Sequence, residues 1–405
     1  MKTTKLSMIL AVILFAVGCN KENDQLVPQE HIKNIDLSYA SSIFIGPNVV
    51  DTENRKRLYK VTNENEIDTV TYTNNFDETF IPQWLPTDLH QINNDLLYLG
   101  FQGVENYILD NRNGNTTPMQ SAPPISGKFF FCEQFIPTSA GVIYLGNDSK
   151  LYSIVTSENS IVEVPISTAH DGAITGFAAD PRGNILYSAS VDNFVEIHLQ
   201  TANSSKKIDT VNKVGFTVLW NGLNENELFY YKPVDNDNET NVQLVDTDQQ
   251  TSRNYGDNRF VLSCGLSKIM TFENKVMGIG CNEIYELVNT EESEEVLITS
   301  LRDFNIINNQ TTEKSKDKMV IAGINTTGNP LLLKIDPVDY SSQHIMQFEG
   351  ITVYDIASND LGESIFWGTS QHNGKTAVGH LHNDGTYTII EQNIDGTIDG
   401  IGKMN

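Results

Sequence analysis

A short apolar segment, rich in aromatic and β-branched residues and usually followed by a small residue, recurs eight times along this 405-residue chain. Ser42–Gly46 and Leu96–Gly100 are two of its copies, and the spacing between the central residues of successive copies averages 46. The central residues are Phe44, Tyr98, Tyr144, Tyr187, Phe229, Met277, Val320 and Phe366. A repeat of this length indicates units that stack on one another, because each is too small to bury its apolar face alone.

The units share an internal order of strands and turns. In the fourth unit, Ala173–Phe177 predicts a first strand, Phe194–Leu199 alternates with period two as a third strand should, and Lys206–Val211 predicts the outer strand. In the eighth unit, Asn383–Gly385 predicts the hairpin turn between the third and fourth strands. Several strands per repeat of about 40 to 50 residues are typical of β-propellers. We therefore expect an all-β, eight-bladed propeller, with seven blades as the alternative because the first interval, 54 residues, is irregular.

The two ends of the chain complement each other. The first unit has second, third and fourth strands near Phe44, Leu58 and Val70 but no first strand, whereas Thr397–Gly402 looks like a first strand with no unit after it. We expect the C-terminal strand to join the first blade, which closes the ring and removes the open sheet edges. Residues 37–405 are thus predicted to form a single domain.

The N-terminus carries an export signal. Lys2 and Lys5 precede the apolar run Met8–Val17, which is too short to cross a hydrocarbon core of about 30 Å as a helix and is typical of a signal-peptide core. The run ends in Ala-Val-Gly-Cys at residues 16–19, which resembles the lipobox of bacterial lipoproteins, although leucine is more usual at Ala16. The resemblance implies cleavage before Cys19 and lipidation of that cysteine. Residues 1–18 are then the signal peptide and residues 19–36 a lipidated flexible tether.

The residues after Cys19 predict where in the cell the protein is located. Asn20–Asp24 contains a lysine followed by acidic residues, which resembles the surface-export signal of Bacteroidota lipoproteins. This implies a chain anchored to the outer membrane by lipid and exposed on the cell surface, with the periplasmic face as the alternative. The net charge of −25 argues against nucleic acid as a partner, because nucleic-acid binding requires basic surface. We expect an outer-membrane protein or a glycan as the partner.

The cysteines and tryptophans give few candidate contacts. Cys264 and Cys281 flank a predicted hairpin turn almost symmetrically, so a disulfide could join them in an oxidising compartment, with two reduced core cysteines as the alternative. Cys132 is expected to be a small buried hydrophobe. Trp84 lies in an irregular stretch and is the candidate for a ligand contact, with a structural role as the alternative.

No metal site is predicted. His380 and His382 share one face of a strand, but no third ligand is identifiable, so an exposed strand face is the preferred interpretation. Asp235–Glu239 has oxygen ligands at alternate positions, as a calcium loop begins, but Thr240 stands where such a loop requires glycine. Calcium is therefore only a weakly indicated cofactor.

No hydrolytic or nucleotide-binding motif is present, and no catalytic residue is assigned. The repeat architecture resembles lactonase-like and NHL-type propellers, and lactonase-like propellers hold a metal in the central channel with carboxylates and amides. Six acidic residues on or beside first strands could face such a channel: Asp88, Glu133, Asp171, Asp180, Asp355 and Asp399. Because one scaffold hosts many functions, the fold does not choose among them. The preferred hypothesis is a non-enzymatic binding or scaffold module, acting in an outer-membrane complex or in ligand capture; the alternatives are a lactonase, lyase or hydrolase using channel-facing carboxylates, and a small-molecule sensor.

Overall fold

The computed structural model describes most of the chain from residue 31 onward. The described residues are 31–47, 56–76, 79–80, 86–101, 106–119, 135–155, 157–158, 160–166, 172–212, 219–233, 239–255, 260–261, 266–272, 274–280, 283–288, 295–297, 304–306, 312–347 and 350–404. Every regular element among them is a β-strand. No helix long and apolar enough to cross a membrane occurs in this described part.

Most strands form eight antiparallel sheets of four or five strands, which are the blades. In order from the first to the fourth strand, the first blade consists of β37 (Gly400–Lys403), β2 (Ala40–Pro47), β3 (Lys56–Thr62) and β4 (Ile67–Thr69). The second consists of β7 (Pro86–Gln91), β8 (Leu96–Phe101), β9 (Asn106–Asp110) and β10 (Thr116–Met119). The third consists of β11 (Phe135–Thr138), β12 (Gly141–Leu145), β13 (Leu151–Val155) and β14 (Ser160–Glu163). The fourth consists of β15 (Ala173–Ala179), β16 (Ile185–Val191), β17 (Phe194–Gln200) and β18 (Ser205–Asn212).

The other four blades follow the same plan, with one strand in two pieces in the fifth and seventh. The fifth consists of β19 (Leu219–Asn221), β20 (Glu227–Pro233), β21 (Glu239–Asp246) and an outer strand in the pieces β22 (Thr251–Asn254) and β23 (Phe260–Val261). The sixth consists of β24 (Leu266–Phe272), β25 (Lys275–Gly280), β26 (Glu283–Leu287) and β27 (Glu295–Leu297). The seventh has a first strand in the pieces β28 (Phe304–Ile306) and β29 (Thr312–Ser315), then β30 (Lys318–Asn325), β31 (Pro330–Ile335) and β32 (Ser342–Gln347). The eighth consists of β33 (Ile351–Ser358), β34 (Ser364–Ser370), β35 (Thr376–Leu381) and β36 (Tyr387–Ile394).

The protein is an eight-bladed β-propeller, so the predicted blade count is confirmed and the seven-bladed alternative is wrong. Each of the eight central repeat residues lies on the second strand of its blade and is at most 1% exposed. Burying a side chain of this size contributes about 1.5 to 3 kcal/mol. The recurrent apolar segment therefore marks the second strand of every blade, with its central side chain buried.

The C-terminal strand closes the ring as predicted. β37 pairs antiparallel with β2, with Ile401 opposite Phe44 and Gly402 opposite Ile43. The first blade thus takes its first strand from one end of the chain and its other strands from the opposite end.

A ninth, small sheet consists of β1 (Ile32–Ile35), β5 (Tyr72–Asn74) and β6 (Thr79–Phe80). Ile32 and Ile35 are 5% and 1% exposed and pack into the core between the first and second blades. Strand β1 lies within the stretch that the sequence assigns to the tether.

The core is divided among the blade junctions. Eight apolar clusters each join residues of two neighbouring blades. Successive residues of a strand point to opposite sides of the sheet, so Phe366 packs against the seventh blade and Ile365 against the first. The turns between first and second strands and those between third and fourth strands emerge on the same side of the ring, because neighbouring strands are antiparallel. We call this side the lower face.

Candidate functional site

The lower face carries a cavity of about 690 Å³ where turns of the sixth, seventh and eighth blades meet. Its volume is in the range of small-molecule sites. Charged residues dominate its wall: Lys275, Lys314, Lys316, Lys318, Asp317, Asp336 and Asp360. Phe272, Pro337 and Val338 add apolar surface, and Val338 is 67% exposed. We call this feature the lysine cavity.

Two of the lysines are positioned by aromatic rings. Lys275 follows the tight turn at the end of β24, and its Nζ lies 2.8 Å from Tyr340 Oη and 4.1 Å from the centre of that ring. The same ammonium donates to the Val338 carbonyl at 3.1 Å. Lys314 lies on β29, and its Nζ is 5.1 Å from the centre of the Phe272 ring. These contacts hold the cationic groups at the wall, since a cation is attracted to the face of an aromatic ring.

Of the other two lysines, Lys316 lies in the turn between β29 and β30, and Lys318 is the first residue of β30. Lys318 forms an ion pair with Asp336, and this hydrogen-bonded contact raises the pKa of the lysine and lowers the pKa of the aspartate. Lys316 has a left-handed backbone, with φ of 58°, and is exposed. No hydrogen bond or ion pair to any other described residue holds its ammonium. Lys316 is thus available to an incoming ligand.

The charge of this cavity is opposite to that of the whole molecule. Acidic residues outnumber lysine and arginine by 52 to 27 in the chain, yet four lysines against three aspartates line this one wall. Lys318 pairs with Asp336 and the Lys275 ammonium lies 3.5 Å from Glu286, whereas Lys314 and Lys316 have no carboxylate partner among the described residues. The local potential at these two lysines therefore favours an anion.

The predicted histidine pair lies elsewhere on the lower face, where the eighth blade meets the first. The expectation of an exposed strand face is wrong for His380, which is 6% exposed, because it continues the side of β35 that packs against the first blade. Burial, together with the nearby Lys403 and His382, lowers the pKa of His380 to about 4. Glu363 lies beside the two histidines and is the third potential ligand, which the sequence interpretation did not identify. Among the described residues, only Glu363, His380 and His382 bring three potential metal-ligating side chains within 4.8 Å of one another.

The structure does not describe the other site residues singled out from the sequence. Cys19, Trp84, Cys132, Cys264 and Cys281 lie outside the described residues, as do residues 235–238 of the weak calcium candidate. Lipidation, the disulfide, the tryptophan contact and calcium therefore stay predictions.

The acids expected near the channel have local roles. Asp399 pairs with Lys56, Asp355 accepts a hydrogen bond from its neighbour's amide at 3.0 Å, and Asp180 is buried within a turn network. Asp88 is exposed, and Glu133 and Asp171 lie outside the described residues. The described acids of this set do not form a shared carboxylate cluster.

The sequence interpretation missed the lysine cavity and the third potential ligand, Glu363, although the sequence contains an indication of each. Three lysines occur in the five residues Lys314–Lys318, an unusual density in so acidic a chain. For the histidines, the register of β34 and β35 places Ile365 opposite His380. Continuing that register by two residues places Glu363 opposite His382, so counting outward from the Asn373-Gly374 turn identifies the third ligand.

Comparison with known proteins shows the fold alone. No family model and no curated protein matches the chain. Among solved structures, one from a structural and mechanistic analysis of two prolyl endopeptidases superposes with a TM-score of 0.53 at 9% identity, over 77% of this chain and 50% of that chain. A eukaryotic initiation factor superposes with a TM-score of 0.52 at 11% identity, over 89% of this chain and 98% of the factor.

A third similar structure is virginiamycin B lyase from Staphylococcus aureus, with a TM-score of 0.42 at 14% identity, over 66% of this chain and 86% of the lyase. The chain spans about half the length of the peptidases that it matches. At these identities the likeness places the protein among β-propellers and carries no activity over to it.

Proposed function

We propose that this protein is a non-enzymatic binding module that captures an anionic ligand in the lysine cavity. The observation that carries the proposal is the convergence of four lysines on one cavity of about 690 Å³ in a chain with a net charge of −25. A cavity of this size encloses a small molecule, and the two lysines without a carboxylate partner, Lys314 and Lys316, supply the charge-assisted hydrogen bonds that fix carboxylate, sulfate or phosphate groups.

The surrounding charge narrows the ligand class. A long polyanion such as nucleic acid would extend from the cavity over acidic surface and be repelled there, whereas a compact anion would contact only the lysines. Apolar surface from Phe272, Pro337 and Val338 suits a ligand that combines a ring with an anionic group. An acidic saccharide, either sulfated or carrying a uronic acid, has both features and is the glycan that we propose.

The predicted location of the protein agrees with capture of an extracellular ligand. Lipidation at Cys19 and display on the outer membrane would present the propeller to extracellular glycans. An outer-membrane protein that receives the captured ligand is the expected partner. Both statements rest on the sequence.

The test is calorimetric titration at low ionic strength with three probes: a sulfated disaccharide, a disaccharide with a uronic acid and a neutral disaccharide. We expect binding of one or both anionic probes and none of the neutral one, with affinity that falls as salt is added. The double variant Lys314→Gln/Lys316→Gln should bind about tenfold more weakly, since it removes two partly exposed charge contacts.

Lys150→Gln is the matched control, because Lys150 is an exposed lysine on the third blade, paired with Glu163. Equal loss in this control, or equal binding of the neutral probe, would contradict the proposal. Chromatography of the probe after prolonged incubation distinguishes capture from turnover: an unchanged probe supports a binding module, and a cleaved one supports the enzymatic alternative.

A further inference from the structure

The junction between the eighth and first blades contains a polar contact that protein atoms alone do not satisfy. His380 Nδ1 lies 3.2 Å from Asn65 Oδ1 of the first blade. An amide oxygen only accepts hydrogen bonds, so the neutral tautomer that satisfies this contact carries its proton on Nδ1 and keeps a lone pair on Nε2. That buried Nε2 lies 3.4 Å from Glu363 Oε2 without the geometry of a hydrogen bond. In this tautomer two electron-rich atoms face each other, an arrangement that a cation between them would stabilise.

The spacing of the two atoms is that of ligands on one ion. Zinc binds imidazole nitrogen and carboxylate oxygen at about 2.1 Å, and tetrahedral geometry then separates neighbouring ligand atoms by about 3.4 Å. His382 supplies the third ligand, with its ligating atom within 4.8 Å of the other two. Rotation of its side chain, which extends just beyond the end of β35, would complete the approach.

The backbone around the three residues is fixed in advance. Asn359 Oδ1 accepts the amides of Leu361 and Glu363 at 3.2 and 3.0 Å, which holds the turn that carries Glu363. Gly362 adopts φ of +86° in this turn, and a Cβ there would lie 2.4 Å from Asn383 Oδ1. His382 begins the next turn, where its carbonyl accepts the Gly385 amide at 3.0 Å.

Hydrogen bonds also orient both rings. Asn65 Oδ1 fixes His380, and His382 Nε2 lies 3.2 Å from Thr388 Oγ1, a contact that changes when the His382 side chain rotates toward the other two ligands. A hydrogen bond to the second nitrogen of a histidine is a recurrent property of metal ligands, because it fixes the tautomer and the ring orientation.

One cationic group, the ammonium of Lys403, already lies beside Glu363. Its Nζ lies 3.3 Å from Glu363 Oε2 and donates to the Ser41 carbonyl at 3.0 Å. A carboxylate offers about four lone-pair positions, so one carboxylate can serve both a lysine and a metal. Lys403 occupies the side of Glu363 toward β2, and it leaves the lone pair of His380 without a partner.

We propose that Glu363, His380 and His382 form a binding site for a divalent transition metal of the zinc class. Two imidazoles and one carboxylate suit such an ion, whereas calcium and magnesium prefer oxygen ligands throughout. All three ligands come from the eighth blade, and Asn65 from the first blade supports one of them. The metal therefore fastens two turns of the last blade beside the junction that closes the ring. This site is separate from the lysine cavity and does not depend on the proposed function.

The experiment uses the protein without a polyhistidine tag, stripped with a chelator and dialysed. Zinc is titrated by calorimetry, the bound metal is counted by mass spectrometry, and cobalt(II) is added separately to record its visible absorption. We expect one equivalent of zinc and the intense visible bands of four-coordinate cobalt. Glu363→Gln and His382→Ala should each weaken zinc binding at least tenfold and abolish those bands, and neither replaces a fully buried residue.

His372→Ala is the control, because His372 is an exposed histidine of the same blade in the turn between β34 and β35. It should bind zinc like the wild type. The proposal is overturned if the wild type binds no stoichiometric zinc, if the cobalt complex shows only the weak bands of an octahedral ion, or if His372→Ala lowers affinity as much as His382→Ala.

Discussion

Two blade junctions on the lower face bring together charged and polar side chains of neighbouring blades, and they satisfy those side chains differently. Between the fourth and fifth blades, Asp180 of one turn meets Thr247 of another. Between the eighth and first blades, Glu363 and His380 meet Lys403 and Asn65. In each junction the turn between the first and second strands of one blade lies near the turn between the third and fourth strands of the next.

The junction of the fourth and fifth blades is saturated with hydrogen bonds. Asp180 is 1% exposed, and its carboxylate accepts the amides of Arg182 and Asn184 at 3.0 and 2.9 Å. The Asn184 side chain, the Thr247 hydroxyl and the Arg182 guanidinium complete its shell at 2.7, 2.8 and 3.1 Å. A buried carboxylate with five donors has no lone pair left for a ligand, so this network is structural.

The junction of the eighth and first blades is less complete. Lys403 has three oxygen acceptors, yet the buried Nε2 of His380 has no hydrogen-bond partner. If the metal site that we propose is present, the unsatisfied Nε2 of His380, and not the buried charge, distinguishes it from the structural network around Asp180.

The largest expected effect is on the saturated junction. Asp180→Ala removes the acceptor for five donors, several of them inaccessible to water, and we expect the free energy of unfolding to fall by about 3 kcal/mol. Urea denaturation followed by tryptophan fluorescence measures it. Asp248→Ala is the control, since Asp248 only pairs with the exposed side of Arg182, and no measurable change is expected. A similar loss in both variants would show that the network is not the source of the stability.

The dependence of stability on pH in acid tests the same hydrogen-bond network around Asp180. Burial raises the pKa of Asp180, but hydrogen bonds from Asn184, Thr247 and Arg182 outweigh it, so the pKa lies below its ordinary value of 3.8. A carboxyl whose pKa is lower in the folded state contributes stability that is present above the unfolded pKa and is lost as pH falls through the folded value.

We therefore expect the difference in unfolding free energy between wild type and Asp180→Asn to be constant above about pH 5 and to shrink below about pH 4. Urea denaturation at a series of pH values measures this difference. If this difference in unfolding free energy instead grows as the pH falls, the carboxyl of Asp180 is protonated in the folded state.

The closed ring could be predicted from the sequence more completely than the side-chain contacts at its blade junctions. The ring itself was predictable, because Tyr98, Tyr144 and their counterparts recur at one spacing and Thr397–Gly402 lacks a blade of its own. Period-two alternation then fixes which residues face a neighbouring blade. His380 and His382 were recognised as a pair, but Glu363 was missed because its turn is 17 residues away and only the hairpin register brings it near.

The lysine cavity was less predictable still. Lys275, Lys314 and Asp360 come from turns of three blades, and their proximity depends on how neighbouring blades stack. Composition predicts an acidic surface everywhere, whereas a local reversal of charge becomes visible only after the turns are placed. The same holds for Asn65 and Lys403, which reach Glu363 and His380 across the closure of the ring.

The smallest stability effect that we expect concerns Lys403, and it separates the two roles of its junction. Burial lowers the pKa of Lys403, and only part of that cost is offset by Glu363, whose side chain is 33% exposed. Lys403→Met keeps the apolar stem and leaves a carboxylate that water can reach, so unfolding free energy should fall by only about 1 to 2 kcal/mol. The same variant should bind zinc more tightly than the wild type, because the competing positive charge beside Glu363 is gone. Denaturation and zinc titration of one sample measure both effects. A variant that loses stability and zinc binding together would show that Lys403 organises the site, whereas opposite changes would show that lysine and metal compete for one carboxylate.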